Sequence, residues 1–378
     1  SMRAVVLMGH GGMDKLEYHT DWPVPTANDN EVLIKVGACG LNNTDVNTRS
    51  AWYSKGNTDG TTGDALDGAQ SDDATWGGAS ISFPRIQGAD VAGQVVAVGN
   101  DSNANLIGKR VLIDTWLRDW NDPLNLDACG YFGSECDGGY AEFTKVDVRH
   151  VHPIESAMTD VELASFATSF ITAENMLERG QVAAGDSVLI PGASGGVGSA
   201  LIQLAKRRGA GVIAMCSASK FDDVLAVGAD AVIDRNTENL IAALREAAGR
   251  ERVSVVADVV GGPKWPQLLD VIERGGRYTC AGAIAGPMVE FDLRTFYLRD
   301  LTFTGATVIP PDLFAKLVTY IEAGEVKPLV AAEYPLDQFH AAQQAFIAKQ
   351  HVGNIVINMS ESWPGTTPGT HIHANQIK

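Results

Sequence analysis

The sequence predicts an α/β protein in two parts, a mostly β domain and a doubly wound parallel sheet inserted behind it. Three observations carry this reading. From Met2 to about Val151 the chain is β-rich and broken by glycine, proline and asparagine. Beyond Thr159 strand-like and helix-like stretches alternate. At the head of that alternation, a glycine-dense turn joins a short apolar run to an amphipathic stretch.

In the first part, Ala4–Met8, Val32–Val36, Val91–Val98, Arg110–Ile113 and Ala141–Lys145 read as strands. Ser54–Ser82 is rich in Gly, Asp, Ser and Thr and reads as a long surface insertion, mobile in part. Asp119–Asp137 is a second irregular stretch and carries Cys129 and Cys136. Asp160–Ser169 and Ala173–Arg179 are helix-like. Val188–Ile190 then has the continuous apolar character of a buried parallel strand, and Val197, Leu201, Leu204 and Ala205 recur at helical spacing after the turn. Written against G-x-G-x-x-G, the turn is Ala193-x-Gly195-x-x-Gly198, with alanine replacing the first glycine. The pyrophosphate of a dinucleotide lies against backbone N–H groups at a helix N-terminus, and side chains on the turn would hold it away. Ala193, Ser194, Gly195, Gly196, Val197 and Gly198 are therefore cofactor-binding candidates.

The alternation continues with strands Gly211–Met215, Ala231–Ile233, Val253–Val260, Arg277–Ala281 and Leu301–Thr307, and with helices near Phe221, Leu240 and Trp265. Ligands bind beyond the carboxyl ends of such strands, so Val260, Gly261, Ala283 and Ile284 are candidate cofactor walls. Helices over Asp312–Ala323 and Leu336–Lys349 precede a strand, Gly353–Asn358, that returns to the first domain. The domains are expected at 1–155 with 310–378, and at 156–309. The tail Ser360–Lys378 is polar, and its His371 and His373 read as ordinary tail residues rather than a metal trap.

Composition excludes several classes. With 378 residues, 45% hydrophobic and 20% charged, the chain is long enough for two substantial cores. No apolar run approaches the roughly 18 residues of a membrane span. Ser1-Met-Arg-Ala-Val-Val goes straight into a strand, with no room for a signal peptide, and Ser1 looks like a cloning remnant. Five cysteines make no disulfide framework in a chain this long and point to a reducing cytoplasm. A net charge of −17 argues against nucleic acid as a partner.

Four segments in this order resemble the medium-chain dehydrogenase/reductase family: Cys39–Asp45, Gln87–Gly99, Asp137–Phe143 and Gly192–Gly198. The resemblance covers the chain outside Ser54–Ser82 and the tail. It implies a GroES-like, mostly β catalytic domain with a Rossmann domain. Zinc alcohol dehydrogenases of the family hold the metal with three protein ligands, and the matching positions here are Asn42, Ala89 and Thr168. They are no zinc set, so no metal is expected, and Cys39 reads as a small buried residue.

What remains resembles the zinc-free branch of quinone oxidoreductases, 2-alkenal and enone reductases, and enoyl- and crotonyl-CoA reductases. Those enzymes pass hydride from a nicotinamide to an activated C=C or to a quinone. The stretch Val212–Lys220 has no acid to bind a ribose 2′-OH, whereas Ser217, Ser219 and Lys220 suit a 2′-phosphate; the expected cofactor is NADPH. The resemblance places Asn42 near the nicotinamide. It makes Tyr53, four residues after Arg49, either a proton donor or a packing aromatic. Asn354 stands where relatives carry a cofactor-contacting lysine, and Asp90 reads as structural, paired with a nearby arginine.

The leading expectation is thus a zinc-independent reductase of a small-molecule substrate, a quinone or small enone or 2-alkenal. A CoA-type reductase and a non-catalytic NADPH-binding protein are the alternatives. Leu301–Val308 is the expected edge strand of a homodimer.

Overall fold

The computed structural model describes residues 1–61 and 72–359. The tail with its two histidines, and the middle of the predicted insertion, lie outside the described residues.

The chain opens with an antiparallel pair, β1 (Met2–Leu7) and β2 (Leu16–Trp22). Next come β3 (Glu31–Gly40), α1 (Asn43–Arg49), β4 (Asp90–Val98) and β5 (Arg110–Ile113). A small pair, β6 (Trp116–Leu117) and β7 (Gly130–Tyr131), precedes β8 (Phe143–Asp147) and β9 (Val151–Pro153). Helices α2 (Asp160–Leu163) and α3 (Ala167–Arg179) lead into the alternating part. That part runs β10 (Ser187–Pro191), α4 (Gly196–Arg207), β11 (Gly211–Cys216), α5 (Phe221–Val227), β12 (Ala231–Asp234) and α6 (Leu240–Ala248). It continues with β13 (Val253–Asp258), α7 (Trp265–Asp270), β14 (Ile272–Cys280), α8 (Leu293–Tyr297) and β15 (Thr302–Gly305). Helix α9 (Leu313–Glu322), β16 (Val330–Pro335), α10 (Phe339–Ala348) and β17 (Asn354–Asn358) complete the order.

Two large sheets result. One has the order β16-β17-β3-β4-β5-β9, with β8 also paired to β3; the other has the order β12-β11-β10-β13-β14-β15. Strand β17 pairs antiparallel with β3, Ile357 opposite Cys39, so the C-terminal segment returns to the first sheet. Every pairing in the second sheet is parallel. All five residues of β10 are buried, because helices cover both faces of a parallel sheet. Successive connections leave from β10 in one direction and from β13 in the other, and the crevice between these two is where such sheets bind ligands. The GroES-like domain plus Rossmann architecture is present as expected. Within the stretch 156–309, α2 packs on β3, β4 and β17 of the first sheet, while α9, beyond that stretch, packs against α3 inside it.

Three differences from the sequence reading have physical causes. Strand β2 is largely exposed and β16 has no buried residue, which leaves no apolar face to read. The edge strand expected over Leu301–Val308 pairs only across Thr302–Gly305; beyond it Ala306, Val308 and Ile309 turn into the core. The described end of the insertion is not surface, because Ala74 and Thr75 are buried and Trp76 packs on Trp116 with ring centroids 4.7 Å apart. No described helix is long and apolar enough to cross a membrane.

A buried ion pair brackets β6, and its arginine reaches the chain leaving β15. Arg118 donates to Asp114 at 3.0 Å and reaches the Ile309 carbonyl at 3.4 Å. Nearby on β9, His152 packs on Phe314, and burial followed by the Arg118 charge pushes its pKa down from 6.5 to about 4. Its folded-state pKa is depressed, so the unfolded chain binds a proton that the folded chain refuses. The matching stability is present above pH 6.5 and is lost as pH falls toward about 4. In His152→Gln, the melting temperature relative to wild type should therefore rise as the buffer is acidified across that window. A difference that stays constant with pH would count against this.

Candidate functional site

The site is built where β10 gives way to α4. Gly192 holds φ +66°, the left-handed region that glycine adopts at little cost. Gly198 lies hard against it, since a Cβ there would sit 2.2 Å from the Gly192 carbonyl oxygen and 2.7 Å from Ala193 Cα. No side chain caps this end of α4, so its first-turn N–H groups keep their donors for a ligand. Gly195, Gly196, Val197 and Gly198 line a cavity of about 320 Å³. A cradle of this shape fits a dinucleotide pyrophosphate, because the space that side chains would fill is left to the phosphates.

The far wall of the cavity is aromatic: Trp52, Tyr53, Trp76, Trp116 and Tyr131. Ala283 and Ile284 close one end, and Thr61 at the start of the insertion donates its N–H to the Ile284 carbonyl at 2.9 Å. Among the described residues the lining contains no Lys, Arg, His, Asp or Glu. A second hollow of about 400 Å³ lies among Asp186, Asp230 and Arg250 at the amino ends of β10 and β11, the end that ligands of such sheets do not use.

Each predicted site residue can now be placed. Asn42, Tyr53, Gly195, Gly196, Val197, Gly198, Ala283, Ile284 and Asn354 share the one cavity. Ala193 is buried beneath the turn and contributes only backbone. Val260 and Gly261 stand just behind, their N–H groups donating to the Asp258 carboxylate at 2.8 and 3.2 Å. Ser194 and Lys220 sit together, Nζ to Oγ 3.4 Å, while Ser217 starts the short turn that carries Lys220. The lysine also donates to the carbonyls of Lys349 and His351, at 2.7 and 3.0 Å. Asn354 is buried and accepts from Ser169 at 2.9 Å.

One reading needs correction. Asp90 is held by Thr168 rather than by an arginine: Thr168 donates both its N–H, at 2.9 Å, and its hydroxyl, at 2.5 Å. The Asn42 amide also lies close enough to favour the ionised form of Asp90, although its Nδ2 completes no hydrogen bond. Burial nevertheless pushes the Asp90 carboxyl up to about 6. Arg49 is fully buried, bonded to Gln343 and to the Gly11 carbonyl, whereas the Tyr53 hydroxyl donates to Thr44 Oγ1 at 3.1 Å on the cavity wall.

The three positions where zinc relatives carry ligands thus gather around Asp90, and they do not suit the metal. Ala89 has no donor atom, and Thr168 is already bonded to the carboxylate. Among the described residues, no group of three or more His, Cys, Asp or Glu is placed to hold a metal ion.

Sequence reasoning missed Trp76, Trp116 and Tyr131 on the cavity wall and Lys349 near the turn, and named Thr168 only as a position matching a zinc ligand. Lys349 donates to Asn43 at 2.7 Å and lies 3.6 Å from the Phe346 ring centroid. Burial and then the neighbouring Lys220 lower it to about 7.

Residues 28–156 match the family described as alcohol dehydrogenase GroES-like domain, and residues 196–323 match zinc-binding dehydrogenase. The solved structure of a candidate alcohol dehydrogenase from Sinorhizobium meliloti 1021 is 44% identical, with a TM-score of 0.85, over 95% of this chain and 96% of its own. The chain belongs to the medium-chain dehydrogenase/reductase family. Members of this family use nicotinamide cofactors. The human quinone oxidoreductase is 26% identical over 92% of this chain and 94% of its own. An NADPH-dependent alkenal/one oxidoreductase, chloroplastic, from Arabidopsis thaliana is 28% identical over 94% of this chain and 79% of its own.

Proposed function

We propose that this member of the medium-chain dehydrogenase/reductase family is a zinc-independent, NADPH-dependent reductase of a quinone or small α,β-unsaturated carbonyl. One observation carries the reading: an uncharged aromatic cavity opens onto an uncapped glycine turn, with a Thr–Asp pair in the zinc place. The similarity to quinone and alkenal/one oxidoreductases supports it. A bound reduced nicotinamide supplies the hydride. The first turn of α4 holds the pyrophosphate, Ala283 and Ile284 wall the dinucleotide, and Lys220 with Ser194 and Ser217 receives the 2′-phosphate. The aromatic wall excludes water and stacks on a flat substrate. Among the described residues the lining offers no cation for the phosphates of a CoA thioester, which call for basic partners.

NADPH oxidation against quinones, enones, 2-alkenals and aldehydes, with and without chelator, tests the reading. Chelator-insensitive turnover of alkenes or quinones, faster with NADPH than NADH, is expected. Chelator-sensitive turnover of aldehydes alone would sink it.

A homodimer through the β15 edge belongs to the same proposal. The segment before that edge exposes Met288, Phe291, Leu293, Tyr297 and Leu298, an apolar strip of the kind that marks an interface. Leu293→Glu with Leu298→Glu should convert a dimer to a monomer in light scattering. A monomeric wild type would end the claim.

A further inference from the structure

We infer that Tyr131 is the group that meets the substrate's carbonyl oxygen, and that Thr168 and Asp90 behind it form a hydroxyl relay in the place of the family's zinc. This rests on the hydride-transfer reading above. Tyr131 lines the cavity and is otherwise buried, with its hydroxyl 2.5 Å from Thr168 Oγ1. Thr168 Oγ1 is in turn 2.5 Å from Asp90 Oδ1, and Asp90 is 1% exposed. These residues stand 37 and 78 positions apart in sequence, so folding alone assembles the chain.

Such a chain has a direction, because each hydroxyl carries one proton. When the Asp90 carboxylate is ionised it only accepts, so Thr168 donates to it and the Tyr131 proton points back to Thr168. When Asp90 carries a proton it donates to Thr168, Thr168 donates to Tyr131, and the phenol proton is turned into the cavity. Burial lifts the Asp90 carboxyl far enough for it to hold a proton close to neutrality.

The balance of the step follows. The hydride brings hydrogen and an electron pair to the β-carbon, and the C=C pair moves so that the carbonyl oxygen becomes an enolate. That oxygen takes the Tyr131 proton and becomes an enol. Tyr131 takes the Thr168 proton, and Thr168 takes that of Asp90. After the enol leaves and becomes the ketone, water entering the cavity returns one proton through Tyr131. This is the one proton that the reduction consumes. Tyr131 touches the substrate; Thr168 and Asp90 are positioning residues.

The test uses full-length Tyr131→Phe, Thr168→Val, Thr168→Ser and, as a comparison, Tyr53→Phe. With an enone that the wild type reduces, Tyr131→Phe and Thr168→Val should each lower kcat by roughly 100-fold or more, the scale of a lost general acid. The KM for NADPH should stay within about twofold, since dinucleotide binding does not use this chain. Thr168→Ser should restore most of kcat, and the solvent deuterium isotope effect of the wild type should vanish in Thr168→Val. A second readout needs no turnover. 4-Nitrophenol, a mimic of the enolate oxygen, should bind to the protein loaded with NADP⁺ and shift its visible absorbance, with affinity reduced about tenfold in Tyr131→Phe and less in Tyr53→Phe. Unchanged kcat and unchanged nitrophenol binding in Tyr131→Phe would overturn the relay. A wild type that reduces nothing in the panel, yet binds nitrophenol through Tyr131, would instead overturn the hydride-transfer reading and leave the relay standing.

Discussion

Gly198→Ala is expected to weaken dinucleotide binding about ten- to a hundredfold, as read by NADPH fluorescence titration, although alanine is the better helix former. Two effects compete at this position. Placing alanine in a helix favours the variant by about 0.5–1 kcal/mol. The added Cβ, however, would stand 2.2 Å from the Gly192 carbonyl oxygen and 2.7 Å from Ala193 Cα, both backbone atoms that no rotamer change can move. Overpacking of this kind costs about 1–3 kcal/mol and is relieved only by shifting backbone. The backbone that shifts is the turn itself, so the loss appears in cofactor affinity before it appears in the fold. Affinity equal to that of the wild type would mean that the phosphates do not rest on this turn.

The second large effect is expected from Asp114→Ala, which should lower stability by about 3–5 kcal/mol, seen as a lower melting temperature and denaturation midpoint. Asp114 and Arg118 are each about 1% exposed at the side chain and meet at 3.0 Å. Burial pushes the Asp114 carboxyl up to about 6 in spite of Arg118, so desolvation outweighs the attraction between the two. The pair is therefore a weak source of net stability while intact and a costly one when halved, because the guanidinium would remain buried without its counter-charge. Asp114→Leu with Arg118→Met should accordingly recover most of what Asp114→Ala loses. If the single and double variants melt alike, the cost lies in packing rather than in the orphaned charge.

Legibility in the sequence followed the distance over which each feature is encoded. Asn42 was readable because it stands in a short segment, Cys39–Asp45, that matches the family. Gly195, Gly196 and Gly198 were readable because strand, turn and helix are consecutive. Tyr131, Thr168 and Asp90 were not read as a unit, since nothing local relates a tyrosine on β7, a threonine on α3 and an aspartate on β4. Trp76 was hidden in a stretch whose polar composition signals surface, yet it packs on Trp116. Lys220 was read as a partner for a 2′-phosphate, but only the folded chain brings the carbonyls of Lys349 and His351 to it.

The sequence by itself determined the alternation of strands and helices from β10 onward, the glycine turn between β10 and α4, and the residues Asn42, Ala89 and Thr168 at the three positions that match zinc ligands. Periodicity, turn chemistry and donor type are properties of neighbouring residues. The tertiary structure alone decided that Tyr131, Thr168 and Asp90 meet. Which side chains meet in a cavity depends on pairing across β3 and β4 and on the packing of α3 against them. No local pattern carries that information.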